Sequence, residues 1–162
     1  MMEHGNKEEY IAEMILEAVI SGETLKDIYG IPKDIMDGLY AYAYDFYQKG
    51  SLDEAEAFFR FLSFYDFYNP DYIVGLAAVY QLKKQFQKAC DLYAVAFALS
   101  KNEYRPVFHA GQCLLFMQKI EEARLSFELV REQSSDETLV AMSQAYLDSL
   151  SKKDTAAELS NI

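Results

Sequence analysis

Residues 39 to 59 read LYAYAYDFYQKGSLDEAEAFF, and taken alone the aromatic alternation from Tyr40 to Tyr44 looks like a β-strand. Two later stretches decide against that reading: IVGLAAVYQLKKQFQKACDLY at 73 to 93 and VFHAGQCLLFMQKIEEARLSF at 107 to 127. In register, Leu39, Tyr42, Ala43, Phe46, Ala55 and Phe59 become Ile73, Leu76, Ala77, Tyr80, Ala89 and Tyr93. They then become Val107, Ala110, Gly111, Leu114, Ala123 and Phe127. A period of 34 residues in three successive copies is the signature of stacked helical hairpins. The small residues Ala43, Ala77 and Gly111 fall where the first helix of each hairpin approaches the second, and Ala55, Ala89 and Ala123 supply the matching gap.

The spacing is that of the tetratricopeptide repeat, without its usual tryptophan and with Pro70 and Pro106 at the start of the next repeat instead of the end of the last. The predicted fold is all-α. Repeats span 36–69, 70–103 and 104–137, preceded by an N-terminal tail, helix and linker (1–35) and followed by a capping helix (138–150) and a flexible tail (151–162). Helices are expected at 8–21, 33–48, 52–66, 70–83, 86–99, 104–117, 120–132 and 136–150. Ser51 with Glu54 and Ser134 with Glu137 read as capping boxes, and Asn69 reads as a cap before Pro70. Gly22 and Gly50 stand where a left-handed residue closes a helix. The first helix carries Ile11, Met14, Ile15, Ala18 and Val19 on one apolar stripe, and Leu139, Met142, Tyr146, Leu147 and Leu150 cover the third repeat.

Charge and composition exclude several functions. Fifteen basic against 26 acidic residues leave a net charge of −11, which repels nucleic-acid phosphates and anionic membrane surfaces, so neither is an expected partner. No apolar run is long enough to span a bilayer, the charged N-terminus MMEHGNKEEY lacks a secretory signal, and two cysteines give no disulfide framework. A cytoplasmic protein is expected. His109 and Cys113 share the spacing of a ligand pair, yet zinc needs four ligands and His4 is the only other histidine. Asp53, Glu54 and Glu56 are first-turn acids that suit a helix dipole. No nucleophile, phosphate loop or cofactor signature is present, so no enzymatic activity, metal or cofactor is expected.

On the first helix, Tyr42 and Phe46 are expected to fall with Ala43 on the side that meets the second helix, and Tyr40, Tyr44 and Tyr47 on the opposite, concave side. The same positions in the later repeats are Val74, Ala78 and Gln81, then Phe108, Gln112 and Leu115, flanked by Ala41, Gly75 and His109. These twelve residues describe a partly apolar channel with hydroxyl groups at its edges, suited to an extended peptide. Arg105 is the main cation nearby, so a clamp for a terminal carboxylate is not expected. The channel is open to two occupants, a foreign chain or the N-terminal helix and residues 22 to 32 folded back. The helix at 52–66 carries Phe58, Phe59, Phe61, Phe64 and Tyr65 over more than half its circumference, which reads equally as a self-association surface or as a seat for the N-terminal helix.

The segments SGETLKDIYGIP (21–32), LDEAEAFFRFLSFYDFYNPDY (52–72), GLAAVYQLKKQFQKACDLYAVAFAL (75–99) and YRPVFHAGQC (104–113) carry a resemblance. From about residue 10 to 150 the chain resembles the class II chaperones of type III secretion, in the branch serving invasion-type systems of enteric bacteria. The resemblance implies three tetratricopeptide repeats and two pore-forming translocator proteins as partners, held in the bacterial cytosol before export. It implies an extended client segment of Pro-x-Leu-x-x-Pro type in the concave groove, a role that falls on Tyr40, Tyr44, Tyr47, Ala78 and neighbouring positions. It further implies homodimers and, for several members of the branch, partnership with an AraC-type transcription activator.

Overall fold

The computed structural model describes residues 3 to 160, with the side chains of 9–17 and 20–160. His4, and Ala18 and Val19 of the expected first-helix stripe, lie outside the described side chains. Helices α1 (Glu3–Ser21), α2 (Leu25–Ile28), α3 (Lys33–Gln48), α4 (Leu52–Tyr65), α5 (Pro70–Leu82), α6 (Phe86–Leu99), α7 (Arg105–Phe116), α8 (Ile120–Gln133) and α9 (Glu137–Ser160) make up the described residues, with no strand among them. None is long and apolar enough to cross a membrane. The chain divides into two compact units, one ending at Tyr72 and the other beginning at Ile73.

In the first unit α3 packs along α4. Ala43 and Ala55 are fully buried, as the small-residue positions require, and Phe59 and Leu62 fill the core beside them. Phe46 and Tyr42 both lean on Phe58, at ring separations of 5.4 and 6.3 Å. Tyr42 nevertheless remains 62% exposed, while Tyr40 is half-buried against Phe59 at 6.1 Å and Tyr72 at 5.5 Å. This corrects the two-sided sorting of the tyrosines. At 3.6 residues per turn, Tyr40 and Tyr47 lie only about 60° and 40° round the helix from Ala43, and Tyr44 about 100°. The two aromatic groups flank the buried line instead of one sharing it and the other opposing it.

Residues 22 to 32 take up a position on α4. The short helix α2, absent from the predicted elements, is held by Thr24, whose backbone N–H and Oγ1 both donate to the Asp27 carboxylate at 3.1 and 2.6 Å. Lys26 donates to buried Asp66 at the end of α4 at 2.7 Å, and Tyr29 meets Tyr65 edge-on at 5.9 Å. The aromatic surface of α4 is thus only partly covered. Phe61 and Phe64 stay 41% and 55% exposed, beside a cavity of about 270 Å³ lined by Leu39, Ala57, Phe58 and Phe61.

The second unit holds two stacked clusters. Ala77, Ala89, Tyr93 and Cys113 form one, with Val74, Tyr80, Phe86 and Ala110 packed against it. Phe108, Ala123, Phe127, Val130, Leu139 and Leu147 form the other. Gly111 is required here, because a Cβ at that position would stand 2.9 Å from the Phe127 ring. The capping helix runs on to Ser160, through the segment expected to fray. Its last turns are fully exposed but contain no Gly or Pro, and Asp154 accepts a 2.6 Å hydrogen bond from Arg124 on α8.

The turns repeat as faithfully as the helices. Gly50, Lys84 and Gln118, at the period of 34, have φ of +75°, +60° and +62°. In each, the next residue's N–H bonds back across the turn: Ser51 to Phe46, Gln85 to Tyr80 and Lys119 to Leu114, at 2.8 to 2.9 Å. These are Schellman closures of the first helices, the first of them on Gly50 as expected, while the expected Ser51 capping box at the start of α4 is absent because the Ser51 side chain makes no cap bond. Asn69 does cap α5, accepting from the Asp71 N–H at 3.0 Å. At α9 the cap is Asp136, accepting from the Thr138 and Leu139 N–H groups, instead of Ser134. A left-handed non-glycine residue costs about 1 kcal/mol. Lys84→Gly and Gln118→Gly should therefore each stabilise the protein by about 1 kcal/mol and Gly50→Ala destabilise it by a similar amount. Urea denaturation midpoints check both signs.

Candidate peptide-binding faces

The open face of α3 is built from stacked phenols. Tyr44, 49% exposed, lies over half-buried Tyr47 with ring centroids 6.2 Å apart and an interplanar angle of 26°. Ala41 beside them is exposed. Burial pushes the Tyr40 and Tyr47 phenols above their ordinary range, so both remain neutral hydroxyls that can donate and accept. Of the three predicted tyrosines, Tyr44 and Tyr47 form the surface and Tyr40 supports it from the core side.

In the second unit the corresponding face is polar at its centre. Gln81 accepts from the Tyr93 hydroxyl at 2.8 Å, and its amide nitrogen lies 3.5 Å from Gln112 Oε1. Gln112 Oε1 also faces His109 Nδ1 at 2.9 Å, and Gln112 Nε2 donates to the Tyr146 hydroxyl at 3.0 Å. Val74, Gly75, Ala78 and Leu115 are half-buried around this network. Phe108 departs from the expected lining. It is 1% exposed, closed in edge-on by Phe127 and Tyr146, both at 5.7 Å. Its register, shared with Tyr40 and Val74, is the packed flank of each first helix.

None of the twelve residues expected on these faces is an aspartate, glutamate, lysine or arginine. Arg105, the expected nearby cation, is exposed and paired with Asp136 at 2.9 Å. His109 is neutral: burial lowers its pKa, Arg105 lowers it further, and the Gln112 bond only partly opposes them. Since Gln112 turns its nitrogen to Tyr146, His109 carries its proton on Nδ1. The unfolded chain takes up a proton near 6.5 while the folded imidazole lags, so His109 contributes stability above that pH that is lost as pH falls below it. His109→Gln should flatten part of the acid-side decline in stability, checked by denaturation at neutral and mildly acidic pH.

Two residues of this surface escaped the sequence reading, Tyr146 and Phe116. Tyr146 stands 34 residues after Gln112, so continuing the register one step past the third repeat would have found it. Phe116, 66% exposed, stacks on Phe86 at 4.8 Å and follows no repeat rule.

The tetratricopeptide repeat model matches residues 36–69 and 70–103. The chaperone protein SicA of Salmonella typhimurium is 66% identical over 148 residues, covering 91% of this chain and 90% of its own. The chain belongs to the SicA family of type III secretion chaperones. Solved structures of the wider group share its fold. The Yersinia enterocolitica type III secretion translocator chaperone SycD superposes with a TM-score of 0.74 at 27% identity, covering 78% of this chain and 97% of SycD. PcrH, solved in complex with the chaperone binding region of PopD, gives a TM-score of 0.72 at 29% identity, covering 77% of this chain and 97% of PcrH. In this SicA-family chain, the Tyr44–Tyr47 pair on α3 offers apolar surface, and in the second unit the Gln81–Gln112–Tyr146 network offers hydrogen-bonding groups.

Proposed function

We propose that this chaperone binds the hydrophobic translocator proteins of a type III secretion system in the bacterial cytoplasm before export. It holds an extended client segment on the first-helix faces and catalyses no reaction. The observation that carries this reading is the Tyr44–Tyr47 stack, a large and rigid apolar surface left open on a helix where charges would otherwise sit. Neutral amide donors at Gln81 and Gln112 suit the main chain of such a segment, and the solved relative PcrH with the chaperone binding region of PopD supports the same use. Tyr40, Ala41, Val74, Gly75, Ala78, His109 and Leu115 complete the proposed contacts, with Phe108 supporting them from within.

Anchoring three apolar side chains at about 1.5 to 3 kcal/mol each gives only micromolar affinity once ordering costs are subtracted. Tight capture therefore needs a longer client wrapping more surface. Co-expression with a translocator should yield a soluble 1:1 complex, measured by size-exclusion chromatography with light scattering. A translocator that stays insoluble or elutes apart from the chaperone counts against the reading.

A further inference from the structure

The second unit contains a cavity of about 290 Å³ between the end of α7 and α9, lined by Gln112, Leu115, Phe116, Gln118 and Tyr146. Its walls are apolar: Leu115 belongs to the edge of the lower core cluster, and the Phe116 ring stands 66% exposed. Its polar groups are already arranged by the network beneath. Gln112 uses its carbonyl oxygen for His109 and one amide hydrogen for the Tyr146 hydroxyl. That leaves the second Gln112 N–H and the Tyr146 O–H as donors. Tyr146 is itself fixed, stacked on Phe127 at 4.6 Å with an interplanar angle of 8°.

Two neutral donors beside apolar walls, with no cation among the lining residues, match a carbonyl next to an aliphatic side chain. They do not match a carboxylate or a phosphate, which would call for Arg or Lys. Gln112 and Tyr146 also continue the repeat register that contains Ala78, so the cavity belongs to the same series of first-helix faces.

We infer that this cavity is a second client subsite, taking one leucine-like residue with its side chain against Leu115 and Phe116 and its main-chain carbonyl on Gln112 and Tyr146. The subsite rests on the client-binding reading above, extends it past the third repeat, and makes Tyr146 a binding residue. Because the donors are held before the client arrives, little ordering is needed to use them.

The probe is N-acetyl-leucine amide, titrated into the isotopically labelled full chain and followed by NMR, with N-acetyl-leucine as the charged comparison. Saturable shifts are expected at the Gln112 side-chain amide, Leu115, Phe116 and Tyr146, and weaker binding of the acid. The Gln112→Leu/Tyr146→Phe variant should bind the amide about tenfold more weakly. Phe116→Ala, which removes a 66% exposed wall and leaves Gln112 and Tyr146 in place, should do the same if the double variant misfolds. Shifts confined to other residues, no saturable shift, or unchanged affinity in the variants would overturn the subsite. Full translocator capture by wild type and by the variants alike, with no probe binding, removes the subsite and leaves the chaperone reading intact. Failure of the wild type to capture translocator removes the reading itself.

Discussion

Replacing Phe127 by alanine is expected to cost about 3 to 5 kcal/mol. The ring is fully buried, stacked on Tyr146 at 4.6 Å and edge-on to Phe108 at 5.7 Å, and its tip comes within 2.9 Å of where a Gly111 side chain would begin. It therefore joins α7, α8 and α9. Gly111→Ala supplies a contrast. In the native protein the added methyl meets a ring clamped between two others, so overpacking of about 1 to 3 kcal/mol outweighs the gain in helix propensity. In the Phe127→Ala background the ring contact is gone and only the 3.2 Å approach to Ser126 Cβ remains, so the same methyl should cost less or recover part of the loss. Denaturation of the single and double variants measures this coupling, and strict additivity would show that the close approach does not exist in solution.

Tyr44→Glu combined with Tyr47→Glu should weaken translocator capture by about a hundredfold or more, equivalent to roughly 3 kcal/mol, while leaving the helical circular dichroism intact. The stack is lost and two carboxylates replace neutral phenols on the open face of α3. A client would have to desolvate them without a partner. The fold tolerates the change because Tyr44 is half-exposed and glutamate is a good helix former. Tyr44→Phe with Tyr47→Phe keeps the rings and should retain most of the affinity, which separates packing from hydroxyl chemistry. Unchanged capture by the double glutamate variant, measured by calorimetry or pull-down, would remove α3 from the binding surface.

The repeat made most of this architecture readable. Small residues at Ala43, Ala77 and Gly111 mark close helix approach, and all three are buried as their spacing demands. Elements outside the repeat were harder to see. The four residues of α2 are too short for a periodic pattern, and its stability comes from Asp27 and a distant partner, Asp66. Gly50 was legible as the left-handed residue that closes the first hairpin turn, whereas lysine and glutamine take the same conformation in the next two turns with no glycine to mark them. On the candidate site, hydrophobic spacing identified the right helices but not which flank each residue occupies. An arc of about 60° separates a position like Tyr40 or Phe108 from the buried line, and neighbouring rings decide its exposure. Tyr146 was missed because its helix was taken only as a cap.

Whether the client lies on the first-helix faces is decided by photo-crosslinking from a benzoylphenylalanine placed singly at Tyr44, Ala78, Phe61 or Val95 in the co-expressed complex. Phe61 and Val95 are exposed on the second helices α4 and α6 and serve as comparisons. Crosslinks to the translocator from Tyr44 and Ala78, and none from Phe61 or Val95, are the expected result. Crosslinks from Phe61 and Val95 alone would contradict it.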